Sequence, residues 1–263
     1  MLEAEAAFRQ LVADPTAEPP LDEGALLIAA VGSGADVDAG LARLDELAAD
    51  ARSAMHDGAG LAQHLFVDRG FAGNTSDYGD PRNSFLPDVI DRRLGIPITL
   101  SVLLIEVGRR LGIALHGVGM PGHFIVGIDG EPDRFLDPFH AGAAMDGHGA
   151  RALFARVQGS DDGFRPEFLA PTPTRQILLR MLANLQQTYV TRRRPEARWV
   201  AHLRLAFPEL PAEERAQAAD VLASVGAFDE AAAVLESMAV DLSDPPARDA
   251  LGRRAVAYRS RSN

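Results

Sequence analysis

The segment 97–111 constrains the fold more than any other part of this sequence. Wound as a helix at about 100° per residue, it places apolar side chains on nearly every side. Only Thr99, Glu106 and Arg110 share a narrow polar stripe, and Arg109 lies beside Ile98. A helix that is apolar almost all round is buried within a core. Because Pro97 suits a first helical position and Gly112 suits the residue just past an end, we predict a central helix over 97–111.

Short β-type runs follow this helix. Residues 115–118 and 124–128 are separated by the turn sequence MPGH, and residues 134–136 follow the turn sequence DGEPD. A helix followed by strands that hairpins connect favours an α+β domain with a small antiparallel sheet.

Helical patterns lie on both sides of this core. We therefore expect three parts: an N-terminal helical region packed on the core (1–68), the core itself (69–170) and a C-terminal all-helical region (171–263). In the last part, the pair Glu196–Ala197 recurs 34 residues later as Glu230–Ala231. This spacing and the stretch GAFDEAAAVLE are typical of a tetratricopeptide repeat. Two copies are fewer than such arrays need alone, so we expect them to pack on the rest of the chain.

Local signals predict where individual helices begin and end. Either Asp36 or Asp38 suits the cap of an N-terminal helix, and Ser84 suits the cap of the helix that follows it. Arg109 and Arg110 lie where positive charge complements the C-terminal end of the central helix.

Charge and composition exclude several function classes. The chain holds 37 acidic and 26 basic residues and no lysine, so its net charge is −11. This balance argues against binding to nucleic acid and to anionic membranes, which reward clustered positive charge. No stretch approaches the ~20 apolar residues that span a bilayer, and the acidic N-terminus is unlike a signal peptide. We expect a soluble cytoplasmic protein that holds no cofactor.

Residues 70–83 read as one long loop, which usually marks a binding loop or the cover of a site. Its candidate binding residues are Asn74, Tyr78, Asp80 and Asn83. The two asparagines are candidates for an oxyanion-binding amide, with turn formation as the alternative role. Tyr78 and Asp80 are candidates for the mouth of a pocket.

One constellation suggests chemistry. The central helix opens at the sequence GIP, His123 lies at a strand edge, and Asp137 ends the next strand. In a papain-type enzyme, a cysteine at the start of a central helix is the nucleophile, because the helix dipole stabilises its thiolate. A histidine takes the thiol proton, and a carboxylate orients the imidazole. The order of these elements fits, but the 263 residues include no cysteine.

Four motifs resemble those of the SirB-type transglutaminase-like family. They are NSFLPDVIDRRLGIPITLS (83–101), VGRRLGI (107–113), GVGMPGHFIVG (117–127) and FLDPF (135–139), and the resemblance covers about residues 25–240. It implies a papain-type, transglutaminase-like core joined to tetratricopeptide-like helices. It also implies that His123 and Asp137 match the catalytic histidine and aspartate, and that the cysteine would lie at the GIPIT helix start.

Four roles are open for His123. It can be a structural partner of Asp137, a general base for a hydroxyl nucleophile, a metal ligand, or a ligand-recognition group without chemistry. The metal role would also use Asp137 and His140, but no spacing typical of a metal site supports it, so we expect no metal.

The hydroxyl candidates are Thr99 and Ser101, at the start of the central helix. We expect Ser101 instead to bond to the backbone carbonyl of Pro97, as buried helical serines usually do. The missing thiol favours a non-catalytic binding or regulatory scaffold with a protein or peptide partner, of undetermined oligomeric state. The alternative is a peptidase, amidase or acyltransferase that uses Thr99 or Ser101 with His123 and Asp137.

Overall fold

A computed structural model describes residues 2–52 and 57–262. The chain divides into two compact units, one formed by residues 18–181 and the other by residues 2–17 together with residues 182 onward. Within the described ranges, no helix has both the length and the apolar character needed to cross a membrane.

The helices, numbered in chain order, are α1 (Leu2–Leu11), α2 (Leu21–Ser33), α3 (Val37–Ala51), α4 (Gly58–Gln63), α5 (Leu86–Arg92), α6 (Pro97–Leu111), α7 (Gly147–Gln158), α8 (Thr174–Thr191), α9 (Ala197–Leu205), α10 (Ala212–Ser224), α11 (Phe228–Asp241) and α12 (Pro245–Arg259). The strands are β1 (Ala72–Gly73), β2 (Leu94–Gly95), β3 (Leu115–Val118), β4 (Ile125–Ile128), β5 (Glu131–Asp137) and β6 (Ala143–Met145). This mixture confirms the predicted α+β class.

Helix α6 is the buried centre of the first unit, as the sequence predicts. Its residues 97–108 are all buried, and Gly112 follows it in the left-handed conformation with φ 76°. A glycine adopts this conformation without the steric cost that a side chain adds. The helix packs against α3, β3, β4 and the 3₁₀ turn 138–140. The helix therefore lies beside the strands and the turn that carry the candidate site.

The main sheet is antiparallel, with the strand order β3-β4-β5-β6. Val126 of β4 pairs with Leu136 of β5, which places the start of β4 beside the end of β5. Helix α7 covers this sheet, where Leu153 packs with Ile125 and Phe135. Strand β6 was not predicted, because its sequence AAM lacks the β-branched and aromatic residues that mark a strand.

A second, two-stranded sheet holds the long loop against the start of α6. Strand β1 pairs in parallel with β2, which ends two residues before that helix. The segment 70–83 is therefore not one open loop: β1 and a 3₁₀ turn over residues 81–84 give it local structure. The hydrogen bonds of this pairing keep the loop next to the candidate site.

The sequence predicts two helix caps, of which one is correct and the other is wrong. Asp36 caps α3, since its carboxylate accepts a hydrogen bond from the Ala39 N–H at 2.9 Å. The predicted cap at Ser84 is wrong. Helix α5 begins one residue later, after Phe85, and no side chain caps it. Pro87 lies in its first turn, where it leaves one fewer N–H to satisfy.

The second unit is helical, as predicted for the C-terminal part of the chain. Phe8 of α1 packs edge to face with Phe207 at 5.8 Å between ring centroids. Small alanine side chains let α10 and α11 pack closely, with Ala219, Ala231 and Leu235 fully buried or nearly so. The tetratricopeptide assignment and the division at residues 68 and 170 stay predictions.

Arg109 and Arg110 do more than complement the end of α6. Both guanidinium groups bind the buried carboxylate of Asp22 in α2, at 2.6 and 2.8 Å, and both bind Glu106. Arg110 also binds the exposed Asp45 of α3. Burial raises the pKa of Glu106. Burial would also raise the pKa of Asp22, but the arginines hold it below its usual value. Sequence patterns missed this network because its members are far apart in the chain.

We expect Asp22→Asn to lower the free energy of unfolding by about 3 kcal/mol, because it removes the buried carboxylate that both arginines share and takes one charge-assisted partner from each guanidinium. Asp45→Asn is the matched control: it removes an exposed partner of the same arginine and is expected to cost less than about 1 kcal/mol. Urea unfolding of both variants measures the difference. Equal losses would show that the buried carboxylate does not hold α2 on α6.

Candidate functional site

The predicted histidine and aspartate meet in a buried pair. His123 lies in the turn between β3 and β4, and Asp137 ends β5. The Nε2 atom of His123 lies 3.0 Å from both carboxylate oxygens of Asp137. The side chains are 5% and 1% exposed. Because Nε2 faces the carboxylate, Nδ1 is the ring nitrogen left to face a reactant, and it makes no hydrogen bond within the described ranges.

Asp137 is fixed by more than one imidazole. Its Oδ1 accepts hydrogen bonds from the backbone N–H groups of Phe139 and His140, at 3.1 and 3.4 Å. Its Oδ2 lies 2.7 Å from the Nδ1 atom of His140. Burial would raise the pKa of Asp137, but the hydrogen bonds and charges of His123 and His140 bring it below its usual value. The carboxylate is therefore ionised at neutral pH.

His140 brings a third donor atom to this centre. Donor atoms of His123, Asp137 and His140 all lie within 4.8 Å of one another. The imidazole of His140 is half-exposed, whereas the other two side chains are buried. These three residues are named from the sequence as possible metal ligands and discounted there, because their spacing matches no metal motif. The convergence depends on two different connections of the sheet, which bring the histidines to one carboxylate.

The two hydroxyl candidates are buried without hydrogen bonds. Thr99 and Ser101 are both 0% exposed, and neither hydroxyl oxygen has a partner among the described residues. The expected bond from Ser101 to the Pro97 carbonyl is absent, which corrects that prediction. A general-base mechanism requires a hydrogen bond between the nucleophile and the base. Neither hydroxyl makes such a bond to His123.

Asn74 and Asn83 stabilise the loop from within. The Asn74 amide donates to Asn83 Oδ1 at 3.0 Å, and both residues are buried. The Asn83 amide nitrogen donates to the carbonyl oxygens of Asp77 and Tyr78, which uses both of its N–H groups. Asn83 therefore has no donor left for an oxyanion. The geometry favours turn formation, the alternative that the sequence left open for both asparagines.

Asp80 and Tyr78 also differ in what they offer a ligand. Asp80 is buried, caps the turn 81–84, and pairs with Arg82 and Arg92. Tyr78 is 53% exposed, and its ring packs edge to face on Phe139 at 6.1 Å between centroids. Of the four loop residues predicted to bind, Tyr78 alone presents its side chain to solvent beside the histidines.

Arg180 is a residue that the sequence analysis missed. Its Nη2 atom donates to the carbonyl oxygens of Met120 and His123, both at 2.7 Å, and its guanidinium stacks over Phe124. It thereby fixes the turn that carries His123. Burial lowers its pKa, and the nearby Tyr78 opposes this shift. A lone arginine within the otherwise apolar run ILLRML (177–182) was the available signal.

We expect Asp137→Asn to lower the free energy of unfolding by about 2 kcal/mol near neutral pH, because the ionised carboxylate accepts charge-assisted bonds. A carboxylate with a lowered folded-state pKa stabilises the fold above the unfolded value of about 3.9, and this contribution is lost as pH falls. The free energies of unfolding of wild type and variant should therefore become more similar as pH falls from about 5 to about 3. Urea unfolding of both proteins at both pH values measures this change. A difference in free energy that stays constant with pH would contradict the stabilising role of the ionised carboxylate.

The known proteins that this chain is similar to match only part of its length. A UPF0162 protein of Xylella fastidiosa (strain 9a5c) is 42% identical over 140 residues, which make up 52% of this chain and 50% of that protein. The UPF0162 protein PA3419 of Pseudomonas aeruginosa is 33% identical over 180 residues, 65% of this chain and 66% of its own length. The F-box only protein 21 of Homo sapiens is 41% identical over 56 residues, 21% of this chain and 9% of that protein.

The chain spans about half the length of the first curated relatives it matches. No solved structure matches it significantly. A family model described as the transglutaminase-like superfamily matches residues 35–183, more than half of the chain and the whole of the His123–Asp137 site. This chain therefore belongs to the transglutaminase-like superfamily.

Proposed function

We propose that this chain is a non-catalytic transglutaminase-like protein that acts as a binding or regulatory scaffold for a protein or peptide partner. The observation that carries the proposal is the missing nucleophile. The chain has no cysteine, and neither buried hydroxyl at the start of α6 is bonded to His123. The imidazole is bonded to its carboxylate, but neither of the two candidate hydroxyls is hydrogen-bonded to that imidazole.

The C-terminal helices supply the proposed binding surface. In the SirB-type arrangement they form tetratricopeptide-like repeats, and helical repeats of this kind bind extended peptides in their grooves. A cavity of about 630 Å³ lies entirely within the second unit. It is lined by Tyr189, Val190, Arg193, Arg194, Pro195, Ser224 and Val225.

The charge of this cavity indicates the kind of partner. Arg193 and Arg194 are exposed at its rim, and none of the lining residues is acidic. Arg194 is paired with Glu196, whereas the Arg193 side chain has no partner in the described part of the chain. Val190 and Val225 add an apolar wall. An acidic peptide with one or two apolar side chains would complement this surface.

We expect Arg193→Glu to weaken the binding of acidic peptides at least tenfold, about 1.4 kcal/mol, because it replaces an attractive charge with a repulsive one. The probes are fluorescein-labelled Asp- and Glu-rich nonapeptides that each contain one leucine, measured by fluorescence anisotropy at low salt in the presence of a chelator.

Arg253→Glu is the matched control, since Arg253 is exposed on α12 of the same unit but does not line the cavity. It changes the net charge equally and should leave affinity within about twofold of wild type. No binding of any acidic peptide, or equal weakening in both variants, would overturn the proposed surface.

The alternative function is hydrolysis or acyl transfer with Thr99 or Ser101 as nucleophile. One observation favours it: both hydroxyls are buried and lack hydrogen bonds, in the first turns of a helix that packs against β4 and the turn 138–140. A helix N-terminus stabilises developing negative charge. The mechanism would need a movement that brings one hydroxyl to His123 Nδ1.

Thr99→Val separates the two functions. Valine keeps the shape and removes a hydroxyl without a partner, so we expect the free energy of unfolding to rise by about 1 kcal/mol. Under our proposal, a fluorophosphonate probe labels neither wild type nor this variant. Stoichiometric labelling of wild type that is lost in both Thr99→Val and His123→Ala, or in both Ser101→Ala and His123→Ala, would establish the enzyme instead.

A further inference from the structure

We propose that His123, Asp137 and His140 form a binding site for a divalent transition-metal ion of the zinc class. This inference goes beyond the scaffold function and does not depend on it. Within residues 2–52 and 57–262, it is the one group of three or more His and carboxylate side chains whose donor atoms converge in this way.

The donor atoms converge on Asp137, and an ion bound there would replace the N–H protons that join each imidazole to the carboxylate. Asp137 Oδ2 lies 3.0 Å from His123 Nε2 and 2.7 Å from His140 Nδ1. Zinc–nitrogen and zinc–oxygen bonds are about 2.0–2.2 Å long. If an ion forms bonds of about 2.1 Å to two donor atoms that are 3.0 Å apart, the donor–metal–donor angle is about 90°. The shorter separation to His140 Nδ1 gives about 80° by the same measure. The carboxylate and each imidazole would therefore occupy adjacent coordination positions and leave others open to water or a further ligand.

The donor set selects the class of ion. Two imidazole nitrogens and one carboxylate oxygen suit zinc, iron(II), cobalt and nickel. Calcium and magnesium prefer sites built from oxygen alone. Since the chain has no cysteine, a closed thiolate site is impossible. The site therefore resembles an open one, in which three protein ligands leave space for water or another ligand.

Surrounding groups orient these donors. Backbone N–H groups of Phe139 and His140 hold the carboxylate, and the Phe139 ring packs edge to face on both imidazoles at 6.0 and 5.3 Å. Arg180 fixes the carbonyl of His123. Such outer contacts are what keep metal ligands in place. The half-exposed His140 gives an ion access from solvent.

The same sheet offers a control pair. His116 and Asp129 form an imidazole–carboxylate contact between β3 and the end of β4, with the side chains 24% and 54% exposed. No third donor joins this pair among the described residues. It has the same two residue types as the proposed site and lacks the third ligand.

The test is a zinc titration of the metal-free full-length chain against a chromophoric chelator. We expect wild type to bind one zinc per chain. His140→Ala should weaken binding at least about 100-fold, since loss of an outer partner alone costs 10–100-fold. Because His140 is half-exposed, this variant keeps the buried His123–Asp137 pair, and circular dichroism checks its fold. His116→Ala should leave affinity within about twofold.

A second readout uses thermal unfolding. An ion that binds only the folded chain stabilises it by an amount that grows with the logarithm of the ion concentration relative to Kd. At a zinc concentration well above the wild-type Kd but below that of His140→Ala, zinc should raise the Tm of wild type and of His116→Ala but not that of His140→Ala. Substoichiometric binding, unchanged affinity in His140→Ala, or equal weakening in His116→Ala would each overturn the proposal. The peptide assay above contains a chelator, so a failure here leaves the scaffold function standing.

Discussion

The carboxylate of Asp137 is the constraint on which the rest of the site depends. It ends β5, caps the turn that follows and accepts bonds from His123 and His140. Placing one ionised group at 1% exposure is costly unless every lone pair finds a donor. The chain meets this requirement with two backbone N–H groups and two imidazoles. Strand end, turn and both histidines therefore share one geometry, which this carboxylate sets.

The start of α6 presents the opposite situation. Two hydroxyls lie there without partners, at the place where a papain-type enzyme has its thiol. A buried hydroxyl without a hydrogen bond costs about 1–3 kcal/mol, and a hydroxyl ionises far less readily than a thiol. The site thus has an imidazole–carboxylate pair, and the chain has no thiol. This asymmetry is why we propose binding, of a partner or of an ion, and not catalysis.

Several features could be predicted because their causes are local. The bounds of α6, its end at Gly112 and the Asp36 cap each depend on a few neighbouring residues. Other predictions failed where distant groups decided. Ser84 is not a cap, because Phe85 holds that position. Arg109 and Arg110 bind Asp22, which lies nearly ninety residues earlier in the chain. Strand β6 exists because β5 offers it a hydrogen-bonding edge, and alanine-rich sequences carry no signal of that.

By itself, the sequence determined the α+β class, the buried central helix and the absence of a thiol. These follow from hydrophobic period, turn residues and residue type, which act over a few positions. The pairing of His123 with Asp137 was one of four roles left open, and the similarity to papain-type enzymes suggested it. Only the tertiary structure decided that His140 joins the same carboxylate, that Arg180 holds the His123 turn, and that the loop asparagines bond to each other. Each of these depends on distances between residues from different elements, and packing sets those distances.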